Sequence, residues 1–182
     1  MEAYDLKKRG VCVTNSPYLE THAFSLQAVK PAEVSATNRG TGDIFVDLPA
    51  EQDDAKNFIL FRGEVAFIML NAFPYTNGHL LIAPYRQVAE IDLLDDQELL
   101  EIIQLLARAA RWLKRAYRPD GMNIGVNMGR AAGAGIPIHI HWHIVPRWNG
   151  DTNFMTAVGG VRVMPQTLED SYARLKAEIE ND

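Results

Sequence analysis

Three histidines occupy alternate positions in one short segment, as His139, His141 and His143. Successive side chains of a β-strand point to opposite faces, so a strand here projects all three imidazoles from one side, roughly 6.5–7 Å apart. Burying three imidazoles side by side requires hydrogen-bond partners for each of them, a cost that a purely structural strand avoids by using Val or Thr. The spacing therefore predicts a chemical role.

Two kinds of chemistry fit three histidines on one face. In a metal site, the imidazoles bind Zn²⁺ and leave one coordination position open for water. In phosphoryl transfer, one neutral imidazole attacks phosphorus, because the pKa of histidine is about 6.5. Its neighbours then hydrogen-bond the phosphoryl oxygens and the leaving group.

The loop before the histidines favours phosphate chemistry. The segment Gly129-Arg-Ala-Ala-Gly-Ala-Gly135 is rich in glycine, and glycine lets successive backbone N–H groups turn toward a bound anion. A site made only of zinc and imidazoles has no need of such a loop. We therefore expect a ligand that carries phosphate.

The elements that position these residues follow from hydrophobic periodicity. Alternating or continuous apolar runs bounded by turn residues predict five strands. These strands span residues 58–61, 65–70, 78–83, 122–126 and about 138–145. Short connections between most of them favour antiparallel pairing.

A long helix is predicted between the third and fourth strands. Asp95 followed by Glu98 forms a capping box, and Pro119 ends the helix. Its apolar residues recur at helical spacing, at Leu99, Ile102, Ile103, Leu106, Ala110 and Leu113. A second helix is expected from Pro165 to Ile179. The predicted fold class is α+β: an antiparallel sheet of about five strands with a long helix and a C-terminal helix.

Composition limits the partners and the location. A chain of 182 residues fits one catalytic domain over residues 43–182, after a partly ordered N-terminal extension over residues 1–42. The formal net charge of −5 disfavours nucleic acid as a partner. No apolar stretch approaches the ~20 residues that span a membrane, and no apolar run follows the basic N-terminus. We therefore expect a cytoplasmic location. The single cysteine, Cys12, agrees with a reducing compartment.

The histidine segment resembles the signature of a known family. His139-Ile-His-Trp-His-Ile-Val145 is similar to the pattern His-φ-His-φ-His-φ-φ, with φ hydrophobic, of the histidine triad (HIT) superfamily. Residues 67–84 resemble that family's strand–turn–Gly-His–strand segment, and residues 146–154 resemble the tail of its diadenosine-polyphosphate-processing branch. The resemblance covers roughly residues 43–155 and implies the HIT-like fold.

The resemblance implies a role for each histidine. His141 would attack the α-phosphorus of a dinucleoside polyphosphate, such as diadenosine tetraphosphate, and form a covalent nucleotidyl-histidine intermediate. His143 would hydrogen-bond the phosphate oxygens, while His139 and His79 would support and orient the nucleophile. Water, or inorganic phosphate in a phosphorylase, would then release the nucleotide; the sequence leaves hydrolysis and phosphorolysis open.

Five further residues are expected to bind the nucleotide. Asn71 resembles the family's ribose-side residue, and Asn127 resembles the polar residue at the start of the phosphate loop. Gly133, Gly135 and Ile136 would contribute backbone N–H groups. Relatives often carry Gln or Ser, and then Ser or Thr, at the last two of these positions, so a side-chain bond to phosphate is lost here.

The expected cofactors and partners also follow from the resemblance. Relatives often carry a Cys-x-x-Cys zinc knuckle where this chain has Asp43-Ile-Phe-Val46, so no structural zinc is expected. No cofactor is required, and Mg²⁺ would enter only as a counterion of the substrate. We predict a homodimer, because family members commonly dimerise. Three alternatives remain: an adenosine phosphoramidate hydrolase on the same scaffold, a zinc hydrolase that uses the three histidines, and a non-catalytic nucleotide-binding protein.

Overall fold

The computed structural model describes residues 41–151 and 165–182 and shows a five-stranded antiparallel sheet in the order β1-β2-β3-β5-β4. The elements are α1 (Ile44–Ala50), β1 (Ile59–Arg62), β2 (Ala66–Leu70), β3 (Leu80–Pro84), α2 (Asp96–Tyr117), β4 (Gly121–Val126), β5 (Trp142–Arg147) and α3 (Leu168–Glu180). The predicted α+β fold class, with its long helix and C-terminal helix, is confirmed. The predicted N-terminal extension lies outside the described residues, except for its last two positions.

The strand that carries the histidines begins later than the sequence predicts. β5 starts at Trp142, because β4 ends opposite it at Val126 and the pairing with β3 ends at Ile82. The chain before Trp142 leaves the ladder, and the N–H of Ile140 donates to the carbonyl of Val88 at 2.6 Å. His139 and His141 therefore lie in the segment just before the strand, which has fewer backbone hydrogen bonds than a paired strand.

The apolar residues between the histidines face a core covered by two helices. Ile140, Trp142 and Ile144 belong to a buried cluster that also contains residues of α2 and α3. This confirms the predicted alternation: one side of the segment is core, and the imidazoles occupy the other.

Helix α2 begins with the predicted capping box, in which the Asp95 carboxylate accepts from the N–H of Glu98 and the Glu98 carboxylate accepts from the N–H of Asp95. Ile102 and Trp112 are fully buried on its inner face. Ile103, assigned to that face from the sequence, is 59% exposed. It follows Ile102 by one residue, which turns it about 100° away from the sheet.

Glu101 of α2 anchors the turn between β1 and β2. Its carboxylate accepts hydrogen bonds from the backbone N–H groups of Glu64, Val65 and Ala66, at 2.6 to 2.8 Å. A Cβ atom on Gly63 would lie 2.6 Å from a Glu101 carboxylate oxygen, so the turn leaves no room for a side chain there. The predicted hairpin is therefore fixed to the long helix.

Helix α1 covers the opposite face of the sheet and is not predicted by the sequence analysis. The Asp43 carboxylate caps its first turn by accepting from the N–H of Phe45 at 3.0 Å. Phe45 is fully buried in a second cluster, with Phe67 and Met69 of β2. Seven residues are too few to show a clear helical period, so the short helix carried little signal.

No helix within residues 41–151 and 165–182 is both long and apolar enough to cross a membrane.

Candidate active site

His141 is the histidine whose ring is oriented by a backbone carbonyl. Its Nδ1 lies 2.8 Å from the carbonyl oxygen of His139. A carbonyl oxygen only accepts hydrogen bonds, so Nδ1 carries the proton and Nε2 keeps its lone pair. The residue is buried, with an exposed fraction of 5%. The local backbone therefore sets the tautomer that a nucleophilic imidazole needs.

A second pair of histidines fixes the opposite tautomer on His143. The N–H of Tyr75 donates to Nδ1 of His79 at 3.1 Å, so Nε2 of His79 carries the proton. Nε2 of His79 then donates to Nδ1 of His143 at 2.9 Å, which leaves Nε2 of His143 protonated. The ring centroids of His141 and His143 are 5.0 Å apart. The site thus sets a lone pair on one ring beside an N–H donor on the next.

Burial keeps both rings neutral at physiological pH. Desolvation lowers the pKa of His141, and the bond to the His139 carbonyl only partly opposes this. Desolvation, together with repulsion from His141, lowers the pKa of His143 to about 4. At pH 7 His141 therefore retains the lone pair on Nε2, and the neutral ring of His143 carries its N–H.

We expect these histidines to make folding stability depend on pH. In the unfolded chain the pKa of His143 returns to about 6.5, so between pH 6.5 and 4 the unfolded state binds more protons than the folded state. The free energy of unfolding should therefore fall as the pH is lowered through this window. The drop is at most about 3 kcal/mol for His143, and less where solvent screens its partly exposed ring.

The measurement is denaturant unfolding from pH 7 to pH 5, where carboxylates contribute little, for the wild type and for His143→Gln. A shallower pH slope in the variant is the expected result. Equal slopes would show that His143 is not held neutral by the fold.

The ring of His139 is held by two oxygen atoms of the protein. Its Nδ1 lies 2.7 Å from the Asp43 carboxylate, and its Nε2 lies 2.9 Å from the carbonyl oxygen of Pro84. Both ring nitrogens are thus occupied by protein oxygens, and the residue is 1% exposed. The supporting role that the resemblance implies for His139 stays a prediction.

Asn71 joins the loop after β2 to His79. Its Oδ1 accepts from the N–H of Phe73 at 2.9 Å, and its Nδ2 lies 3.3 Å from Nδ1 of His79. The ribose-side role of Asn71 stays a prediction. Its amide already helps to hold the loop that orients His79.

The sequence predicts that the N–H groups of the glycine loop are available to a bound anion, but in the structure one of them is used within the loop. It contains a 3₁₀ turn at Arg130–Ala132, and the N–H of Gly133 donates to the carbonyl of Arg130 at 3.0 Å. Gly133, predicted to bind nucleotide, therefore uses its N–H inside the loop. Its φ of +85° lies where glycine is favoured, so it still shapes the turn.

Two N–H groups at the end of the loop remain available for the predicted contact with phosphate. Within the described part of the chain, the N–H groups of Gly135 and Ile136 donate to no protein acceptor. Asn127 lies near the start of the same loop, with its Nδ2 3.9 Å from the position of a Cβ on Gly133. The loop therefore supplies two candidate backbone donors and one side-chain amide.

The residues that the structure describes do not form a metal site. Over residues 41–151 and 165–182, no three His, Cys, Asp or Glu side chains are grouped so as to hold one. At the stretch corresponding to the zinc knuckle, Val46 offers no ligand, and the Asp43 carboxylate is bonded to Phe45, Gln87 and His139. A zinc site built from the three triad imidazoles would also require His139 to release Asp43 and Pro84.

Comparison with known proteins agrees with this geometry. The family model of the HIT domain matches residues 52–150. The chain belongs to the HIT domain family. It is 40% identical over 134 residues to the AP-4-A phosphorylase of Mycobacterium tuberculosis (strain CDC 1551 / Oshkosh), an alignment covering 74% of this chain and 68% of that protein.

Two further HIT relatives extend the comparison. The chain is 28% identical over 94 residues to the bis(5'-adenosyl)-triphosphatase of Saccharomyces cerevisiae (strain YJM789), over 50% of this chain and 44% of that one. The crystal structure of a Zn-bound histidine triad family protein from Mycobacterium smegmatis superimposes with a TM-score of 0.63 at 27% identity, covering 77% of this chain and 94% of that chain. The predicted family is confirmed, and the chain is an enzyme of the nucleotidyl hydrolase and transferase class.

Sequence reasoning missed three residues beside the HIT histidines. Asp43, Phe45 and Gln87 contact or support His139, yet each lies more than 50 residues before it in the chain. The one available signal was an acidic residue at Asp43, directly before an apolar run, which is typical of a helix N-cap. That signal predicts a helix start and gives no indication of a histidine partner.

Proposed function

We propose that this HIT protein transfers a nucleoside monophosphate from a dinucleoside polyphosphate, such as diadenosine tetraphosphate, through a covalent intermediate on His141. The observation that carries the proposal is the hydrogen bond from Nδ1 of His141 to the His139 carbonyl, because it leaves Nε2 free to attack. The substrate class is supported by the names of the two relatives, AP-4-A phosphorylase and bis(5'-adenosyl)-triphosphatase.

The reaction proceeds in two displacements. In the first, Nε2 of His141 forms a bond to the α-phosphorus and the bridging P–O bond breaks, so diadenosine tetraphosphate releases ATP. In the second, an oxygen nucleophile attacks the same phosphorus, the N–P bond breaks and the imidazole recovers its lone pair. Dividing one difficult displacement into two lowers each barrier.

His143 and the end of the glycine loop stabilise the transferring group. Nε2–H of His143 donates to a phosphoryl oxygen, and the N–H groups of Gly135 and Ile136 donate to the others. Donors fixed before the reaction stabilise the charge that builds on these oxygens without a cost of reorganisation. No metal or cofactor takes part in this scheme, and Mg²⁺ serves as a counterion of the substrate phosphates.

We propose inorganic phosphate as the second nucleophile, because the AP-4-A phosphorylase is 40% identical and the triphosphatase 28% identical to this chain. Diadenosine tetraphosphate incubated with phosphate should then give ATP and ADP. Without phosphate, slow hydrolysis should give ATP and AMP. Product analysis by anion-exchange chromatography separates the two outcomes.

Other outcomes of the same incubation contradict the proposal. ATP and AMP in equal amounts at every phosphate concentration would make the enzyme a hydrolase. Faster turnover of an adenosine phosphoramidate would change the substrate class. Near-stoichiometric zinc, with activity lost to chelators, would make it a metal hydrolase. Tight mononucleotide binding without any turnover would make it a binding protein.

We also propose a homodimer formed through β4. Among the described residues β4 pairs only with β5, and Ile124 at its centre is 51% exposed. An unpaired strand edge with an apolar side chain is a template for pairing with a second copy. Analytical ultracentrifugation of the wild type and of Ile124→Lys should show a dimer and a monomer. A wild type that is monomeric at micromolar concentration would refute this assembly.

We also propose that the protein is located in the cytoplasm. The single cysteine, Cys12, agrees with a reducing compartment. Cell fractionation tests this, and recovery of the protein outside the cytoplasmic fraction would contradict it.

A further inference from the structure

Asp43 is a fully buried carboxylate outside the catalytic histidines. One oxygen accepts from the N–H of Phe45 at 3.0 Å. The other accepts from the side-chain amide of Gln87 at 2.7 Å and lies 2.7 Å from Nδ1 of His139. A buried carboxylate is costly unless its oxygens are hydrogen-bonded. Here the carboxylate joins the start of α1, the loop after β3 and the first histidine of the triad.

The imidazole of His139 is consequently clamped at both ends. Nδ1 faces Asp43, and Nε2 lies 2.9 Å from the carbonyl oxygen of Pro84 at the end of β3. Because that carbonyl only accepts hydrogen bonds, Nε2 carries a proton, and Nδ1 is within hydrogen-bond distance of the carboxylate. The ring therefore cannot rotate without breaking two buried hydrogen bonds.

These two hydrogen bonds hold His139 where the backbone is not yet paired with a neighbouring strand. The carbonyl of His139 is the acceptor that fixes the ring of His141, yet His139 lies before the start of β5. One backbone bond, from Ile140 to Val88, crosses to the neighbouring loop at this point. The position of the His139 carbonyl thus depends on its side chain, and hence on Asp43.

Phe45 supports the same two residues from the side of α1. Its ring centroid is 5.1 Å from that of His139 and 4.7 Å from that of His141. The carboxylate of Asp43 accepts from the N–H of Phe45, so one residue fixes both the helix start and the ring packed on the nucleophile. Loss of the carboxylate would loosen both contacts.

We infer that Asp43 is a positioning residue for the nucleophile: its carboxylate holds the imidazole of His139, and the carbonyl of His139 holds the ring of His141 with Nε2 free. This inference rests on the proposed nucleophilic role of His141. Asp43 touches no reacting atom and acts only through its neighbours. Partners that orient metal-binding histidines contribute about 10-fold to 100-fold to activity, and we expect a factor of similar size here.

The test compares Asp43→Asn and Asp43→Ala with the wild type in full-length protein. Asp43→Ala removes the acceptor, whereas Asp43→Asn keeps the shape but places an NH₂ group where one carboxylate oxygen was. The rate of nucleotidyl-histidine formation is measured by rapid quench with diadenosine tetraphosphate labelled at the α-phosphate. We expect a loss of about 10-fold to 100-fold for Asp43→Ala and a smaller loss for Asp43→Asn, with KM changed less than 3-fold.

A second readout separates positioning from general stability. Nitrogen-15 NMR of the histidine rings reports which nitrogen of His141 is protonated. The wild type should show Nδ1–H only, and the Asp43 variants should show a mixture with Nε2–H. Asp47→Asn is the matched control, because Asp47 lies in the same helix and its carboxylate, among the described residues, accepts only from Thr41 and Gly42. It should change neither readout.

Each result decides the inference. A folded Asp43→Ala variant with the wild-type rate and the wild-type His141 tautomer overturns it. If Asp43→Ala does not fold, Asp43→Asn decides by the same two criteria. If neither folds, Gln87→Ala does so, since Gln87 is exposed apart from its bond to Asp43, and an unchanged rate there counts against the inference. A wild type that forms no adduct refutes the proposed function instead.

Discussion

Replacing His141 by alanine should lower kcat by at least about 10⁴-fold, the scale observed when a catalytic nucleophile is deleted. The variant loses the Nε2 lone pair, and no other described side chain offers an unprotonated ring nitrogen at this position. It also loses one hydrogen bond and part of the contact with Phe45, so we expect a stability loss of about 1–3 kcal/mol. The fold should survive this loss.

The measurement is steady-state turnover of diadenosine tetraphosphate, combined with acid-quench trapping of the labelled nucleotidyl adduct. Far-ultraviolet circular dichroism confirms folding. His22→Ala is the matched control, because the sequence gives that histidine no role. Residual turnover above about one tenth of the wild-type rate, or a labelled adduct in His141→Ala, would show that another residue is the nucleophile.

Replacing His143 by alanine should lower kcat by about 10²-fold to 10³-fold, which is the usual effect of removing one donor from a charged transition state. The chain from Tyr75 through His79 fixes the N–H of His143 on the side away from His79. That N–H strengthens its bond as charge builds on the phosphoryl oxygens. KM should change little, since the donor matters most in the transition state.

His143→Gln provides the control for this prediction. A glutamine amide can donate a hydrogen bond from a similar position, so it should recover about 10-fold of the activity lost in His143→Ala. Single-turnover kinetics on both variants separates the first displacement from product release. If Gln and Ala are equally slow, or if only KM rises, then His143 does not stabilise the transition state through its N–H.

Part of the site could be predicted because it depends on local geometry. The alternation of histidines with Ile140 and Trp142 predicted which face carries the imidazoles and which is core, and the structure has the same division. The capping box at Asp95 likewise predicted the start of α2. These features need only the dihedral angles of a strand or of a helix end, so a short window of sequence carries them.

The strand boundary shows the limit of that reasoning. The sequence from Ile138 onward has the composition of a strand, but the structure begins β5 at Trp142. A strand exists only where a neighbour pairs with it, and β4 ends at Val126, opposite Trp142. The lengths of the neighbours decided where the ladder ends, and no local pattern at residue 138 reports them.

The sequence by itself determined the family, the order of the elements and the one-sided display of three imidazoles. Only the tertiary structure decided how those rings are held. Asp43 reaches His139 across 96 residues, and His79 reaches His143 across 64. An aspartate before a helix looks the same in sequence whether its carboxylate faces water or a buried imidazole. The pairing of strands and the packing of α1 against the sheet settle which of the two it is, because burial leaves the carboxylate only the partners that the fold brings to it.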